Sequence, residues 1–271
     1  MLTPHILWCV LFIVVPLLFV VYYAFAEFAP DGSLLGFTFR HFGDVFTDGD
    51  YLGTFGSSLL LALVSTVICL VIAYPTAYCI AKMKAHSQRM MVILLMLPMW
   101  MNFLVRTYTL TQLLDNNGLI NRFLSLFGIG AVQFLGTPAA VVLGMVYNYL
   151  PYMILPIYTV MSKLDHRLIE ASSDLGANSF QTLTRVILPL TASGIISGIT
   201  MVFVPSISTF YVAKAMSNGS ISLIGDIIET QFGSLNYTMG STLSFILMIL
   251  ILISMFVMNK FDKEGNGGVV A

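Results

Sequence analysis

Charge is what this chain has least of. Asp, Glu, Lys and Arg make up only 9% of its 271 residues, against about 25% in an ordinary soluble domain. Hydrophobic residues reach 58%, and the mean hydropathy is +0.90. A water-soluble fold of this size could not hide so much apolar surface, so the solvent has to be a bilayer. Only helices and closed barrels satisfy every backbone polar group there. The apolar runs are long and continuous, not alternating over strands of about ten residues, which argues against a barrel. Cysteine is scarce as well. Cys9, Cys69 and Cys79 all lie in apolar segments and read as small buried hydrophobes, not as a disulfide framework. The histidines His5, His41, His86 and His166 are scattered without metal-ligand spacing, so no metal site is expected. No glycine-rich loop ending in Gly-Lys-Ser or Gly-Lys-Thr occurs, so this chain should not hydrolyse ATP itself. The net charge of −1 gives no electrostatic pull toward nucleic acid, and no such partner is expected.

What is present is a series of six apolar segments, at 6–26, 57–81, 90–112, 138–160, 191–213 and 237–258. Each has about 20 residues or more, enough to cross about 30 Å of hydrocarbon at 1.5 Å per residue. The expectation is an all-α polytopic membrane protein with about six transmembrane helices, forming a single domain over 1–264 with a flexible tail at 265–271. Ala24-Phe25-Ala26 mimics a signal-peptidase site. No basic residue precedes the first run, however, and that run is longer than a signal core, so a retained helix is favoured. Basic residues near the span ends set the orientation. Lys82, Lys84, Arg89, Lys163, Arg167, Arg185, Lys260 and Lys263 fall on one side; Arg40, Arg106, Arg122 and Lys214 fall on the other. The first group marks the cytoplasm and puts both termini there. The outer side carries Glu27, Asp31, Asp44, Asp48, Asp50, Asp115, Asp226 and Glu229. Such a mouth would concentrate a cation, although acids are also simply free to sit outside, because only Lys and Arg are sorted.

The polar segment 161–190 breaks the apolar pattern. Leu164, Leu168, Ala171 and Leu175 recur at i, i+4, i+7 and i+11, an apolar stripe on a short helix. Gly176 then permits a sharp turn and Pro189 restarts the chain toward the fifth span. A helix with an apolar stripe and flanking charges suits docking into a groove. It could instead lie on lipid headgroups, but Asp165, Glu170 and Asp174 would be repelled by anionic lipid.

Glu170-Ala171-Ser172-Ser173-Asp174-Leu175-Gly176-Ala177, followed by Val186-Ile187-Leu188-Pro189, resembles the EAA motif of bacterial ABC importer permeases. That motif runs Glu-Ala-Ala, three residues, Gly, nine residues, then Ile-x-Leu-Pro. The spacing is kept; Ser172 replaces the second Ala and Val186 replaces Ile. The resemblance implies the type I importer (MetI-like) permease fold and a coupling helix seated in a cleft of a cytoplasmic ATPase. Leu168, Glu170, Ala171, Leu175, Gly176 and Pro189 would form the contact, with Glu170 pairing to a basic group. It also implies partners: a second, similar permease, two ATPase copies that bind ATP and Mg, and an extracellular substrate-binding protein. No cofactor is expected on this chain.

Four further blocks resemble permeases of the spermidine/putrescine type: Leu97–Tyr108, Asn116–Asn121, Val204–Val212 and Leu223–Asp226. A polyamine needs carboxylates for its ammonium ends and aromatic faces for its apolar body. Asp226 and Glu229 offer the first; Trp100, Tyr108, Tyr147, Tyr149, Phe210 and Tyr211 offer the second. Aromatics also form interfacial belts without any ligand. Asn102 and Arg106, four apart, would share a helix face. Arg106 lies about 24 Å along the third span, as a structural pin to a helix carbonyl or as a residue of the path. Trp100, Asn102, Tyr108, Phe210, Tyr211, Asp226 and Glu229 are the candidate path residues. Pro205 interrupts the fifth span, with Ser206, Ser208 and Thr209 placed to satisfy freed carbonyls. Gly194 and Gly198, with Ser193 and Ser197, form a small-residue packing face. The main alternatives are an importer permease for another small solute, or a stand-alone secondary transporter. The latter calls for a mid-membrane ion site and usually an inverted repeat, and neither is visible.

Overall fold

The computed structural model describes residues 3–29 and 33–267. Asp31 and residues 268–271 of the expected tail lie outside the described residues, as do the side chains of His166 and of 261–267, Lys263 among them. Four helices are long and apolar enough to cross a membrane: α1 (Pro4–Phe25), α3 (Gly49–Ala81), α7 (Pro138–Met161) and α13 (Tyr237–Gly267), whose apolar part is Tyr237–Lys260. Two bent pairs complete the set of up to six spans. One joins α4 (Ala85–Trp100) to α5 (Phe103–Leu114) and α6 (Leu119–Ser125), bent by 93°. The other joins α9 (Ser179–Leu190) to α10 (Ala192–Ser208), bent by 68°. Shorter helices are α2 (Arg40–Thr47), α8 (His166–Asp174), α11 (Tyr211–Ser217) and α12 (Ile224–Gly233). A two-stranded antiparallel hairpin, β1 (Ala26–Phe28) and β2 (Leu34–Phe37), follows α1.

Helix α7 is the axis of the packing, flanked by α3 and α10. The buried positions of α3 are mostly small: Ser58, Ala62, Ser65, Thr66, Cys69, Ala73 and Ala77. They recur at helical spacing and make one face. Lipid tails are as apolar as leucine, so burying grease gains little here; small residues let backbones approach and dispersion and buried polar contacts hold them. Ser65 Oγ, for example, donates to Met145 Sδ at 3.2 Å. The small-residue face of α10 does the same. A Cβ on Gly194 would lie 3.0 Å from the Pro156 carbonyl oxygen, and one on Gly198 would lie 2.7 Å from Met153 Sδ. Ser193 and Ser197 line, together with Gly194, an open hollow beside Tyr152 and Thr159. Helix α1 is different. None of its apolar window is buried, and it is held at its far end. There Phe25, Phe42 and Phe245 cluster with ring centroids 5.0–6.0 Å apart, and Thr242 Oγ1 donates to the Ala24 carbonyl at 3.2 Å.

Several expectations need correction. The third span is not continuous over 90–112. Pro98 sits in the last turn of α4, Met101 is extended, and Asn102 caps α5 instead of continuing a helix. The fifth helix stops at Ser208, with Thr209 extended, so residues 209–213 leave it. The second span begins at Gly49, eight residues before the expected start at 57, because Asp48 accepts the Asp50 N–H at 2.9 Å and caps it there. Residues 265–267 of the expected tail continue α13. Of the three free cysteines only Cys69 is buried, while Cys79 is exposed. Ser206 Oγ is buried with no hydrogen-bond partner among the described residues, so it relieves no carbonyl. Ser208 Oγ does reach the Val204 carbonyl, at 3.1 Å.

Candidate functional site

The segment after α7 folds as the residue types dictate. Asp165 caps α8, its carboxylate accepting the Arg167 N–H at 3.0 Å. The helix ends at Gly176, which takes φ +81°, a conformation that costs glycine nothing. The Gly176 N–H then donates to the Ser173 carbonyl at 2.9 Å and the Ala177 N–H to the Ser172 carbonyl at 3.1 Å, the Schellman pattern. Asn178 and Gln181 form a reciprocal capping box that starts α9, at 2.8 and 2.9 Å. Pro189 follows a π-helical stretch, Leu183–Ile187, and Thr191 marks the 68° bend into α10.

Three residues of the expected stripe, Leu168, Ala171 and Leu175, face away from the protein's own core, whereas the fourth, Leu164, lies before α8 and packs on that core. Leu168 is 46% and Leu175 90% exposed, and Glu170, Ala171, Gly176 and Pro189 are exposed with them. Among the described residues Glu170 has no ion pair; the one present joins Lys214 to Glu229 at 3.6 Å. The opposite face of α8 carries Ile169, packed on the core together with Leu164, and Ser172, whose hydroxyl meets that of Thr182 at 2.9 Å in a buried setting. Apolar groups that gain nothing from their own fold and are rimmed by charge are the signature of a surface made for a partner. Beneath them Tyr78, Lys82, Gln88, Met161 and Ile187 line a small cavity of about 100 Å³. The ends of α3 and α7, the start of α4 and the α8–α9 pair therefore meet at one end of the bundle.

The candidate path residues divide into separate places. Trp100 and Tyr108 are exposed. Asn102 Oδ1 accepts the Leu104 and Val105 N–H groups at 2.9 and 3.4 Å, so it spends its side chain on the break in the span. Phe210 and Glu229 share a hollow of about 400 Å³ with Ser208 and Gly225, between α10, α12 and α13. Tyr211 stands 6.4 Å from Phe103, which stacks on Tyr149 at 6.4 Å. Asp226 is buried rather than open to solvent. Its Oδ2 accepts the Leu223 N–H at 2.9 Å, while Oδ1 is buried without a hydrogen-bond partner among the described residues. Burial pushes its carboxyl up to about 6, against the pull of that N–H and of Lys214.

The strongest polar contact inside the bundle was only half legible. Arg106 is 4% exposed. Its Nε donates to Asn148 Oδ1 at 2.8 Å, its Nη1 to the Pro98 carbonyl at 2.9 Å and its Nη2 to the Asn148 carbonyl at 3.4 Å. It is the structural pin to a helix carbonyl, and it ties both halves of the broken third span to α7. Asn148 was missed. Its amide also donates to Thr107 Oγ1 at 3.1 Å and to the Gly144 carbonyl at 2.9 Å. The signal was a lone asparagine in an apolar span, a residue that needs partners in lipid. Thr182, the partner of Ser172, was missed too, because nothing in its spacing points to α8.

Up to six apolar spans, two of them bent, with a helix pair exposed at one end of the bundle mark a multi-pass membrane protein. Residues 81–264 match the family model described as "Binding-protein-dependent transport system inner membrane component", and the chain belongs to that family. It is a transport subunit, not itself an enzyme. It is 37% identical over 265 residues to the spermidine/putrescine transport system permease protein PotB of Haemophilus influenzae, covering 96% of this chain and 92% of that one. To the PotB of Escherichia coli strain K12 it is 36% identical over 250 residues, 90% of each chain. In fold it is similar to a chain of a bacterial ABC transporter involved in import of the acidic polysaccharide alginate. The TM-score there is 0.81 at 17% identity, over 97% of this chain and 94% of that one.

Proposed function

We propose that this chain is the permease subunit of an ATP-driven importer of spermidine and putrescine, forming half of the translocation path. The observation that carries the solute is the 37% identity to a spermidine/putrescine permease along 96% of the chain. The α8–α9 end is the cytoplasmic one, since Lys82, Lys84, Lys163, Arg167 and Arg185 gather there. Both termini then face the cytoplasm, and the hairpin, α2 and α12 face outward. The exposed face of α8 is the coupling surface: Leu168, Ala171 and Leu175 enter an ATPase cleft, Glu170 pairs with a basic group there, and Gly176 and Pro189 shape the exit. Two ATPase copies bind ATP and Mg, a second permease completes the channel, and an external binding protein supplies affinity. Closure of the ATPases moves α8 and, with it, the spans, a rigid-body switch between two packings.

The path is expected to bind solute weakly, using the Phe210–Glu229 hollow and the Trp100, Asn102, Tyr108, Tyr211 and Asp226 positions. The experiment is co-purification of the tagged chain followed by reconstituted uptake of labelled spermidine and putrescine. An ATPase should accompany the wild-type chain, and Glu170→Lys should abolish ATP-driven uptake. Uptake by that variant with no ATPase bound would overturn the importer reading. Failure of both polyamines to enter or compete, while another solute does, would overturn the substrate.

A further inference from the structure

Helix α8 has nine residues, too few to be stable alone in water. Its ends are held by the Asp165 cap and the Schellman turn. Its body is held by Ile169 on the core and by the hydroxyl pair Ser172–Thr182 at 2.9 Å. These two side chains are 8% and 5% exposed. Among the described residues this is the one side-chain hydrogen bond between α8 and α9. Helix α9 runs on to Thr191, whose hydroxyl lies 3.2 Å from that of Tyr74 on α3, and then into α10, which rides on α7 through Gly194 and Gly198. A push on the outer face of α8 reaches α7 through the short link 162–165, and beyond simple packing it has two routes onward to α10. One is the backbone through Gly176, a joint at φ +81° with no side chain to stiffen it. The other is the hydroxyl pair, which bridges that joint.

We infer that the Ser172–Thr182 hydrogen bond is a positioning contact: it fixes the angle between α8 and α9 and thereby sets how much of the ATPase stroke reaches the spans. This rests on the coupling role proposed for α8. Ser172 is also where the chain departs from the Glu-Ala-Ala frame. The hydroxyl is therefore an addition at a position where the frame has alanine, and Ser172→Ala should fold.

The test uses the whole transporter, purified and reconstituted in liposomes, and reads ATP hydrolysed per solute imported. The variants are Ser172→Ala, Thr182→Val, the pair together, and Thr182→Ser, which keeps a hydroxyl. Complex yield should be unchanged throughout. Each of the first two should raise the ratio two- to fivefold, since an ordinary hydrogen bond shifts a population by about fivefold. The double variant should be no worse than the worse single, because both hydroxyls act through one bond. Thr182→Ser should stay near wild type. An unchanged ratio in intact single variants, an additive loss in the double, or a loss that merely follows falling complex yield would overturn the clasp. Absence of any ATPase on the wild-type chain would instead overturn the coupling role on which it rests.

Discussion

The Arg106–Asn148 contact allows a quantitative test, because two neighbouring substitutions remove different kinds of bond. Thr107→Ala removes one neutral partner, the hydroxyl that accepts the Asn148 amide at 3.1 Å. Such bonds average about 0.6 kcal/mol in membrane proteins. Asn148→Ala also takes the acceptor from Arg106 Nε, at 2.8 Å, and leaves a buried cation short of a partner. A hydrogen bond to a charged group is worth about 1.5–3 kcal/mol. Nη1 and Nη2 keep their backbone acceptors, so the low end, about 1.5 kcal/mol, applies. The gap of about 1 kcal/mol corresponds to roughly a fivefold difference in the unfolding equilibrium. The assay is equilibrium unfolding of the purified chain in mixed detergent, with the four chains wild type, Thr107→Ala, Asn148→Ala and Asn148→Ala/Arg106→Met. Removing the stranded charge should recover part of the loss, because the double variant has no buried cation to satisfy. Equal losses in the two single variants, or a further loss on adding Arg106→Met, would refute the assignment of Arg106 as a charge held by Asn148.

Glu170→Lys should leave unfolding unchanged, since Glu170 is exposed and forms no ion pair among the described residues, while ATPase co-purification and uptake fall at least tenfold, a loss of about 1.4 kcal/mol of docking energy; pull-down and uptake assays check both. Asp226 has its carboxyl raised from 3.8 to about 6, so the folded chain holds a proton that the unfolded chain releases. Stability should therefore fall as pH rises from 4 through 6 and stay low above it, and Asp226→Asn should flatten that slope in unfolding measured from pH 4 to 7. Gly225→Ala should cost about 1–3 kcal/mol by overpacking, because its Cβ would lie 2.7 Å and 2.8 Å from the backbone oxygens of Ser208 and Thr209. Gly53→Ala, which meets nothing within 4 Å, should cost nothing; equilibrium unfolding in mixed detergent compares the two.

How much could be read in advance followed the range of the forces involved. The spans at 138–160 and 237–258 were legible because hydropathy over 20 residues is a local sum. The turn at Gly176 was legible for the same reason: a Schellman ending needs only a glycine at the right place. The break at Asn102 was missed, although Pro98 and a capping residue were both in view, because an uninterrupted apolar window outweighed them. The stop at Ser208 was missed for a tertiary reason. The Pro205 carbonyl there accepts Ser208 Oγ at 3.5 Å and also Tyr149 OH at 3.4 Å, a contact 56 residues away in sequence. Residue type points to Asp226 as a path carboxylate but says nothing of its exposure. Its burial depends on Gly225 lying against the Ser208 and Thr209 carbonyls, and no spacing rule shows that. Thr182 and Asn148 belong to the same class, since each is defined by a partner from another helix.

The tight seam where α3 meets α7, and the nearly bare flank of α1, imply opposite tolerances to amino-acid replacement. At Ser65, Cys69, Ala73 and Ala77, all 0% exposed, a side chain much larger than cysteine would have to pry two long rods apart. At Leu7, Leu11 and Leu18 on α1, all more than half exposed, any greasy residue should serve. Saturation mutagenesis should therefore find a size limit on one helix and only a polarity limit on the other.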